Sequence, residues 1–131
     1  MALQLDLCDI RHVAESLGVE RADGTHLQTN PSSVLGTNEV TPLSMAAAYA
    51  GIAAGGLYCK PIIVDRVVDP TGRELPGQTK DCRQAIDPEV AATAAYAMAG
   101  VMSGGTGTSS NPEDGVPIIG KTGTTDSSVQ T

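Results

Sequence analysis

The sequence predicts an α+β fold, in which helices and a small antiparallel sheet share one domain. Two observations support this prediction. Residues 41–56 and 87–102 are rich in Ala, and each stretch begins with a capping side chain followed by proline, a pattern typical of helix starts. Residues 62–75, between them, show two short apolar runs separated by a turn sequence, which indicates a β-hairpin.

The first helix is expected over residues 6–17. Its apolar residues recur at helical spacing, and Gly18 provides a stop signal; they are Leu7, Ile10, Val13, Ala14 and Leu17. Residues 19–40 contain the turn signals Asp-Gly and Asn-Pro, so this stretch is expected to be irregular.

The second helix is expected from Pro42 to about Ala54, because two consecutive glycines follow it. The third is expected from Pro88 to about Met102. It is nearly apolar on all sides, which predicts a buried helix.

The hairpin is expected to begin with a strand over residues 62–68, which are rich in β-branched side chains. The Asp-Pro-Thr-Gly sequence at 69–72 predicts a turn, and Glu74-Leu75 would begin the returning strand.

Composition indicates that these 131 residues form part of a larger domain. The chain has no Phe, no Trp and three Tyr, against 15 Gly and 8 Pro, so it offers little of the aromatic area that stabilises cores. A small domain built in this way would be marginally stable alone. The net charge of −7 comes with scattered acids and bases, which argues against a nucleic-acid partner.

Neither a signal peptide nor a membrane span is predicted within the sequence. The first residues carry no cationic region and no long apolar run. Residues 40–59 carry no charge and contain a GxxxG pattern at Gly51 and Gly55. They are mostly Ala and Gly, which is weakly apolar for the ~20 residues that a bilayer requires, so a buried helix of a globular domain is the preferred interpretation.

The chemistry-bearing motif is Lys121-Thr122-Gly123, followed by Thr124. A lysine here offers a positive charge to a substrate carboxylate, and the threonine hydroxyls can donate hydrogen bonds to it. Gly123 lacks a Cβ, so a substrate can approach the backbone. This K-T-G box is part of the signature of penicillin-binding proteins and serine β-lactamases. The alternative for Lys121 is an edge-strand lysine that discourages aggregation.

The residues of the box also fit a second motif. Gly115 to Thr122 match G-x-x-x-x-G-K-[ST], the P-loop of nucleotide-binding proteins. A P-loop requires a buried strand before its first glycine and a helix after its threonine. Residues 104–114 have loop composition, and residues 123–129 are a poor helix start, so this alternative is disfavoured.

Further segments resemble the transpeptidase domain of class A penicillin-binding proteins. Residues 35–46 read LGTNEVTPLSMA, and the resemblance continues through Tyr49-Ala50, residues 53–56 and Lys60-Pro61. Gly104-Gly105-Thr106-Gly107 is similar to the GTG segment that precedes the KTG strand in the same enzymes. The resemblance covers nearly all of residues 1–131. It implies a penicillin-binding transpeptidase or β-lactamase-like fold with Ala-rich buried helices, a hairpin and the KTG strand.

Two elements of that family are missing from residues 1–131. No Ser has a Lys three positions later, so there is no Ser-x-x-Lys nucleophile. Ser109-Ser110-Asn111 spells S-x-N, but it lies in the Gly-rich loop just before the box, and the match is interpreted as chance. The chain is therefore expected to be a partial, C-terminal segment of a transpeptidase domain, and to be inactive alone.

The resemblance implies a serine D,D-transpeptidase that cross-links peptidoglycan stem peptides through an acyl-enzyme and also binds β-lactams. It implies that Lys121 assists catalysis electrostatically and that Thr122, Gly123 and Thr124 contact the substrate, with the Thr124 N–H as an oxyanion-hole candidate. The implied partners are the stem peptide, β-lactam antibiotics and the remainder of the domain, at the extracytoplasmic face of a bacterial membrane, with no cofactor. A non-catalytic interaction module with the same fold is a further alternative.

Cys59 precedes the predicted hairpin and Cys82 follows it. Because a hairpin brings its ends together, these two could approach disulfide distance; two buried thiols are the alternative. Cys8 has no evident partner. His12 and His26 have no metal-ligand neighbour at useful spacing, and no metal site is predicted.

Overall fold

The computed structural model describes residues 4–123. Its first helix, α1, spans Leu7–Ser16. The Asp6 carboxylate caps it by accepting hydrogen bonds from the amides of Cys8 at 2.8 Å and Asp9 at 3.3 Å. Gly18 follows with φ of 80° and lies against the ring of Tyr58, where a Cβ would clash. The predicted helix and its glycine stop are therefore confirmed.

The two Ala-rich helices begin where the sequence predicts. Helix α2 spans Pro42–Ala53, and the Thr41 hydroxyl accepts a hydrogen bond from the Ser44 amide at 3.1 Å. Helix α3 spans Pro88–Ser103, and Asp87 accepts one from the Glu89 amide at 2.8 Å. In both helices, proline occupies the first turn, where its missing N–H is not needed.

The stretch between α1 and α2 is irregular, as expected, with one short 3₁₀ helix at Pro31–Leu35. Gln28 and Asn38, on either side of this 3₁₀ helix, are joined by two hydrogen bonds. The Gln28 amide donates to the Asn38 side-chain oxygen at 2.8 Å, and the Asn38 amide group donates to the Gln28 carbonyl at 3.2 Å. The loop is thereby closed on itself before α2 begins.

Two small antiparallel sheets form among the described residues. Strand β1 (Leu57–Cys59) pairs with β4 (Cys82–Gln84), placing Cys59 opposite Cys82. Strand β2 (Val67–Val68) pairs with β3 (Glu74–Leu75). Residues 60–81, which carry the β2–β3 hairpin, therefore form an arm whose two ends meet at β1 and β4.

The turn of the arm is organised by Asp69. Its side chain accepts hydrogen bonds from the Thr71 hydroxyl and from the amides of Thr71 and Arg73. These bonds, the one from the Thr71 hydroxyl above all, hold the pKa of Asp69 below its usual value. The predicted turn at 69–72 and the returning strand at Glu74-Leu75 are confirmed.

The first strand of the hairpin is shorter than predicted. Of residues 62–68, only Val67–Val68 join a ladder, because the partner strand ends at Leu75 and Pro76 has no N–H to extend it. The amides of Ile63 and Val64 donate instead to the side-chain oxygen of Gln78, at 2.8 and 2.9 Å.

The core is small and lies where α2 meets its neighbours. Helix α2 contacts β1 on one side and α3 on another. The buried apolar side chains of the described residues come from the end of α1, the loop after it, α2, β1 and α3, and are Leu17, Leu27, Ala48, Tyr58 and Ala91. Ser44 is the buried polar residue, and its hydroxyl bonds the Thr41 carbonyl at 3.0 Å.

Helix α3 is not buried on all sides, contrary to the expectation from its composition. Only Ala91 is buried, whereas Tyr96 is 84% exposed and Val90 is 57% exposed. The physical reason is that α2 covers one stripe of α3, and no other described helix or strand covers its remaining faces to the same extent. No helix within residues 4–123 is both long and apolar enough to cross a bilayer.

Candidate functional site

The Lys-Thr-Gly box lies beside the C-terminal end of α3. The Gly120 amide donates to the carbonyl of Met98 at 3.4 Å, and a Cβ on Gly120 would come 2.6 Å from the sulfur of Met102. The glycine before the lysine thus allows the box to approach the helix closely.

The described part of the box is not in a strand, although the sequence predicts one. Residues 116–123 have no regular secondary structure. A strand requires a neighbouring strand for its backbone groups, and this segment contacts the end of a helix instead. The expected KTG strand is therefore not formed within the described residues.

The turn between α3 and the box packs on the same helix end. The Gly107 amide donates to the Val101 carbonyl at 3.0 Å. A Cβ on Gly107 would lie 2.7 Å from the Met102 sulfur, and one on Gly105 would lie 2.9 Å from the Val101 Cα. Glycine at both positions permits this tight return of the chain.

Lys121, Thr122 and Gly123 are all exposed. The Lys121 ammonium donates to the Thr122 carbonyl at 2.8 Å, and it takes part in none of the ion pairs formed among residues 4–123. The Thr122 hydroxyl lies 2.7 Å from the hydroxyl of Thr106. A Cβ on Gly123 would meet no atom within 4 Å. A positive charge, a hydroxyl and an open backbone therefore stand side by side.

Two sequence expectations at this site have different outcomes, and one residue joins the site without being expected there. Thr124 lies outside the described residues, so its expected contact with a substrate stays a prediction. The sequence pattern alone does not mark Thr106 as a site residue, although the GTG resemblance contains it. Ser109-Ser110-Asn111 falls on a 3₁₀ helix at Thr108–Ser110, and the Asn111 side chain donates to the Met102 carbonyl at 3.3 Å, so its amide holds the turn.

The structure lacks the strand that a P-loop requires before its first glycine. The chain ahead of Gly115 consists of the 3₁₀ helix and a loop. In that loop, the Asp114 side chain accepts a hydrogen bond from the Val116 amide at 3.0 Å. This arrangement does not resemble a strand leading into a phosphate cradle.

A concave region of about 520 Å³ lies between α1, the start of α2 and the β1–β4 sheet, and none of the described residues of the box lines it. Glu15 and His26 line it, with 3.0 Å between a carboxylate oxygen and the ring Nδ1. This bond, together with the Leu27 amide, lowers the pKa of Glu15, against a smaller opposing effect of partial burial. Arg83 stacks 4.8 Å from the centre of the Tyr58 ring. The Glu15 contacts join α1 to the loop that follows it, and the Arg83 contact joins β4 to β1.

The cysteines that flank the arm are joined. Cys59 and Cys82 form a disulfide with their Cα atoms 4.0 Å apart, whereas Cys8 is free and exposed. Within residues 4–123, no group of three or more His, Cys, Asp or Glu side chains is placed to hold a metal ion.

Nearly the whole chain, including the box, is similar to known proteins. A family model described as the penicillin-binding protein transpeptidase domain matches residues 2–130. Penicillin-binding protein 1A of Mycolicibacterium smegmatis is 37% identical over 128 residues, which cover 91% of this chain and 16% of that protein. Penicillin-binding protein 1A of Aquifex aeolicus is 35% identical over 95 residues, covering 72% of this chain and 13% of that protein.

A solved structure has the same fold. The crystal structure of PBPA from Mycobacterium tuberculosis superposes with a TM-score of 0.62 at 24% identity, covering 88% of this chain and 29% of that one. The likeness shows the α+β fold of the part of the chain that the structure describes. The chain spans 13% and 16% of the length of the two curated relatives above.

Proposed function

The chain belongs to the family of penicillin-binding protein transpeptidase domains, and on this premise we propose that it supplies the carboxylate-binding part of a serine D,D-transpeptidase site. The observation that carries the proposal is the box itself. Lys121, Thr122 and Gly123 lie exposed together, and the Lys121 ammonium forms no ion pair with the described carboxylates. A positive charge in this state is available to an anionic ligand.

The reaction is acyl transfer in two steps. A serine oxygen attacks the carbonyl carbon of the D-Ala-D-Ala bond, the carbon–nitrogen bond breaks, and D-Ala leaves with a proton on its nitrogen. An amine of a second stem peptide then attacks the ester and releases the serine. A β-lactam acylates the same serine by opening its ring.

The box residues have distinct roles in this reaction. The Lys121 charge stabilises the bound carboxylate and the negative charge that develops at the attacked carbonyl. The Thr122 hydroxyl donates a hydrogen bond to the carboxylate, because a carboxylate can only accept. The open backbone at Gly123 admits the substrate, and Thr124 contributes a second hydroxyl and an oxyanion-hole N–H.

The nucleophile comes from a separate segment, because residues 1–131 contain no Ser-x-x-Lys. A chain that carries residues 1–131 together with a Ser-x-x-Lys segment of this family is here called the assembled transpeptidase. Its site faces the extracytoplasmic side of the membrane, where peptidoglycan is cross-linked. The Cys59–Cys82 disulfide supports this location, since disulfides persist in oxidising compartments.

Labelling with benzylpenicillin, followed by intact-mass measurement, tests the proposal. The assembled transpeptidase should gain the mass of one penicillin per chain, and residues 1–131 alone should gain none. A stoichiometric adduct on a serine of residues 1–131 alone would refute the division of roles. A folded, assembled chain that takes up no penicillin would favour a non-catalytic interaction module. Saturable ATP binding that Lys121→Ala abolishes would favour the P-loop alternative.

A further inference from the structure

We propose that Thr106 is a positioning residue for the carboxylate site: its hydroxyl donates a hydrogen bond to the Thr122 hydroxyl and thereby directs the Thr122 O–H towards the substrate. The proposal rests on the proposed function, because it assigns a partner to a residue of that site. The starting observation is the distance of 2.7 Å between the two hydroxyl oxygens, which is the usual length of an O–H···O hydrogen bond.

The number of protons at the two hydroxyls sets the direction of this bond. Each threonine hydroxyl has one proton to donate and two lone pairs to accept with. A carboxylate accepts only, so a Thr122 that binds it uses its single proton there. The bond between Thr106 and Thr122 can then persist only if Thr106 is the donor.

This order has an energetic consequence for the site. A hydroxyl that accepts a hydrogen bond becomes a better donor, because successive bonds polarise one another. The bond from Thr106 also restricts rotation of the Thr122 side chain, so less freedom is lost when the carboxylate binds. Both effects strengthen the Thr122 contact without any contact between Thr106 and the ligand.

Both hydroxyls belong to segments that bond to the C-terminal part of α3. The Thr106 turn is fixed by the bond from the Gly107 amide to the Val101 carbonyl at 3.0 Å. The Asn111 side chain closes the turn from the other side by donating to Met102. The box is fixed on the same helix by the Gly120 amide. The spacing between Thr106 and Thr122 is therefore set by the contacts of both segments with α3.

The test uses the assembled transpeptidase and the second-order rate constant of acylation by benzylpenicillin. Thr106→Val keeps the shape and removes the hydroxyl, and it should slow acylation about two- to tenfold, as expected for one neutral hydrogen bond. Thr106→Ser restores the donor and should recover most of the rate. Where valine disturbs the turn, Thr106→Ala beside Thr106→Ser gives the same comparison.

Two further measurements separate positioning from a general structural effect. The methyl ester of benzylpenicillin has no carboxylate. With this ester as the substrate, the wild type and Thr106→Val should therefore be acylated at about the same rate. In the Thr122→Val background, Thr106→Val should cause no additional loss, because the bond it removes is already absent.

The possible failures are distinguishable. If Thr122→Val slows acylation but Thr106→Val does not, the inference about Thr106 is wrong and the proposed function stands. If Thr106→Val slows the ester as much as the acid, its role is structural and the inference is overturned. If Thr122→Val itself leaves the rate unchanged, the carboxylate role of the box fails, and this inference fails with it.

Discussion

At the scale of single residues, Glu15 makes the stability of the fold depend on pH. Its carboxylate accepts hydrogen bonds from His26 at 3.0 Å and from the Leu27 amide at 3.3 Å, which joins α1 to the loop that follows it. These contacts favour the charged form, and they lower the pKa of Glu15 from the ordinary value of 4.5. A carboxyl whose pKa is lower in the folded state stabilises the fold above its unfolded pKa, and the contribution is lost as pH falls through the folded pKa.

We therefore expect Glu15→Gln to flatten the acid side of the stability profile. Glutamine keeps an acceptor oxygen but has no charge to lose. The wild-type advantage in thermal melts should be about 0.2–1 kcal/mol above pH 4.5, the range for exposed charged contacts, and should be lost as pH falls below 4.5 through the lower pKa of folded Glu15. Glu113→Gln, at an exposed position, is the matched control. An advantage that persists unchanged at pH 2 to 3 would contradict this role.

Helix caps could be predicted from the local sequence, whereas the contact between Thr106 and Thr122 could not. Thr41 and Asp87 were predicted as helix caps, and both side chains accept the expected amide hydrogen bonds. Thr106 was not predicted as part of the site, because the bond to Thr122 joins residues separated by 16 positions. Capping is determined within one helical turn, whereas that pairing depends on how the chain returns along α3.

At the scale of elements, the arm of residues 60–81 depends on its disulfide. The β2–β3 ladder has two residues in each strand, and its neighbourhood is largely exposed. Such a short hairpin is marginal alone. The Cys59–Cys82 bond closes a loop with a sequence separation of 23, which reduces the entropy of the unfolded chain.

Removing the disulfide should destabilise the chain. The double variant Cys59→Ser with Cys82→Ser is expected to lose about 3 kcal/mol of unfolding free energy, the chain-entropy value for a loop of this size. Cys8→Ser, at a free and exposed thiol, is the control and should melt like the wild type. Non-reducing peptide mapping of protein secreted to an oxidising compartment should recover Cys59 and Cys82 in one linked pair. Two free thiols in that protein would show that the bond does not form.

The elements also show where sequence patterns are insufficient. The turn at Asp69 was predictable, since its side chain bonds amides only two and four residues away. The length of the first hairpin strand was not, because it is limited by where the partner strand ends. The strand predicted at the box is absent from the described residues for a similar reason. Its β-branched residues favour a strand only where a neighbouring strand is present.

At the scale of the whole molecule, α3 is more exposed than its apolar composition predicts. Val90 and Tyr96 are among the exposed large apolar residues of the described chain, although the helix is apolar nearly all round. The sequence identified the helix correctly, but its burial depends on what packs against it. The family identity was accessible from sequence for a different reason, because it rests on ordered motifs over nearly the whole chain and not on packing.

The central claim is that the box of this chain binds the carboxylate of a penicillin or stem peptide. The most direct measurement is the second-order rate constant for acylation of the assembled transpeptidase by benzylpenicillin, with Lys121→Ala compared with Lys80→Ala, which removes an exposed lysine from the arm. Losing one charge-assisted interaction of about 1.5–3 kcal/mol should slow acylation about ten- to a hundredfold in Lys121→Ala, with an unchanged thermal melt. Lys80→Ala should acylate at the wild-type rate. Equal rates for Lys121→Ala and the wild type, with equal melts, would contradict the claim.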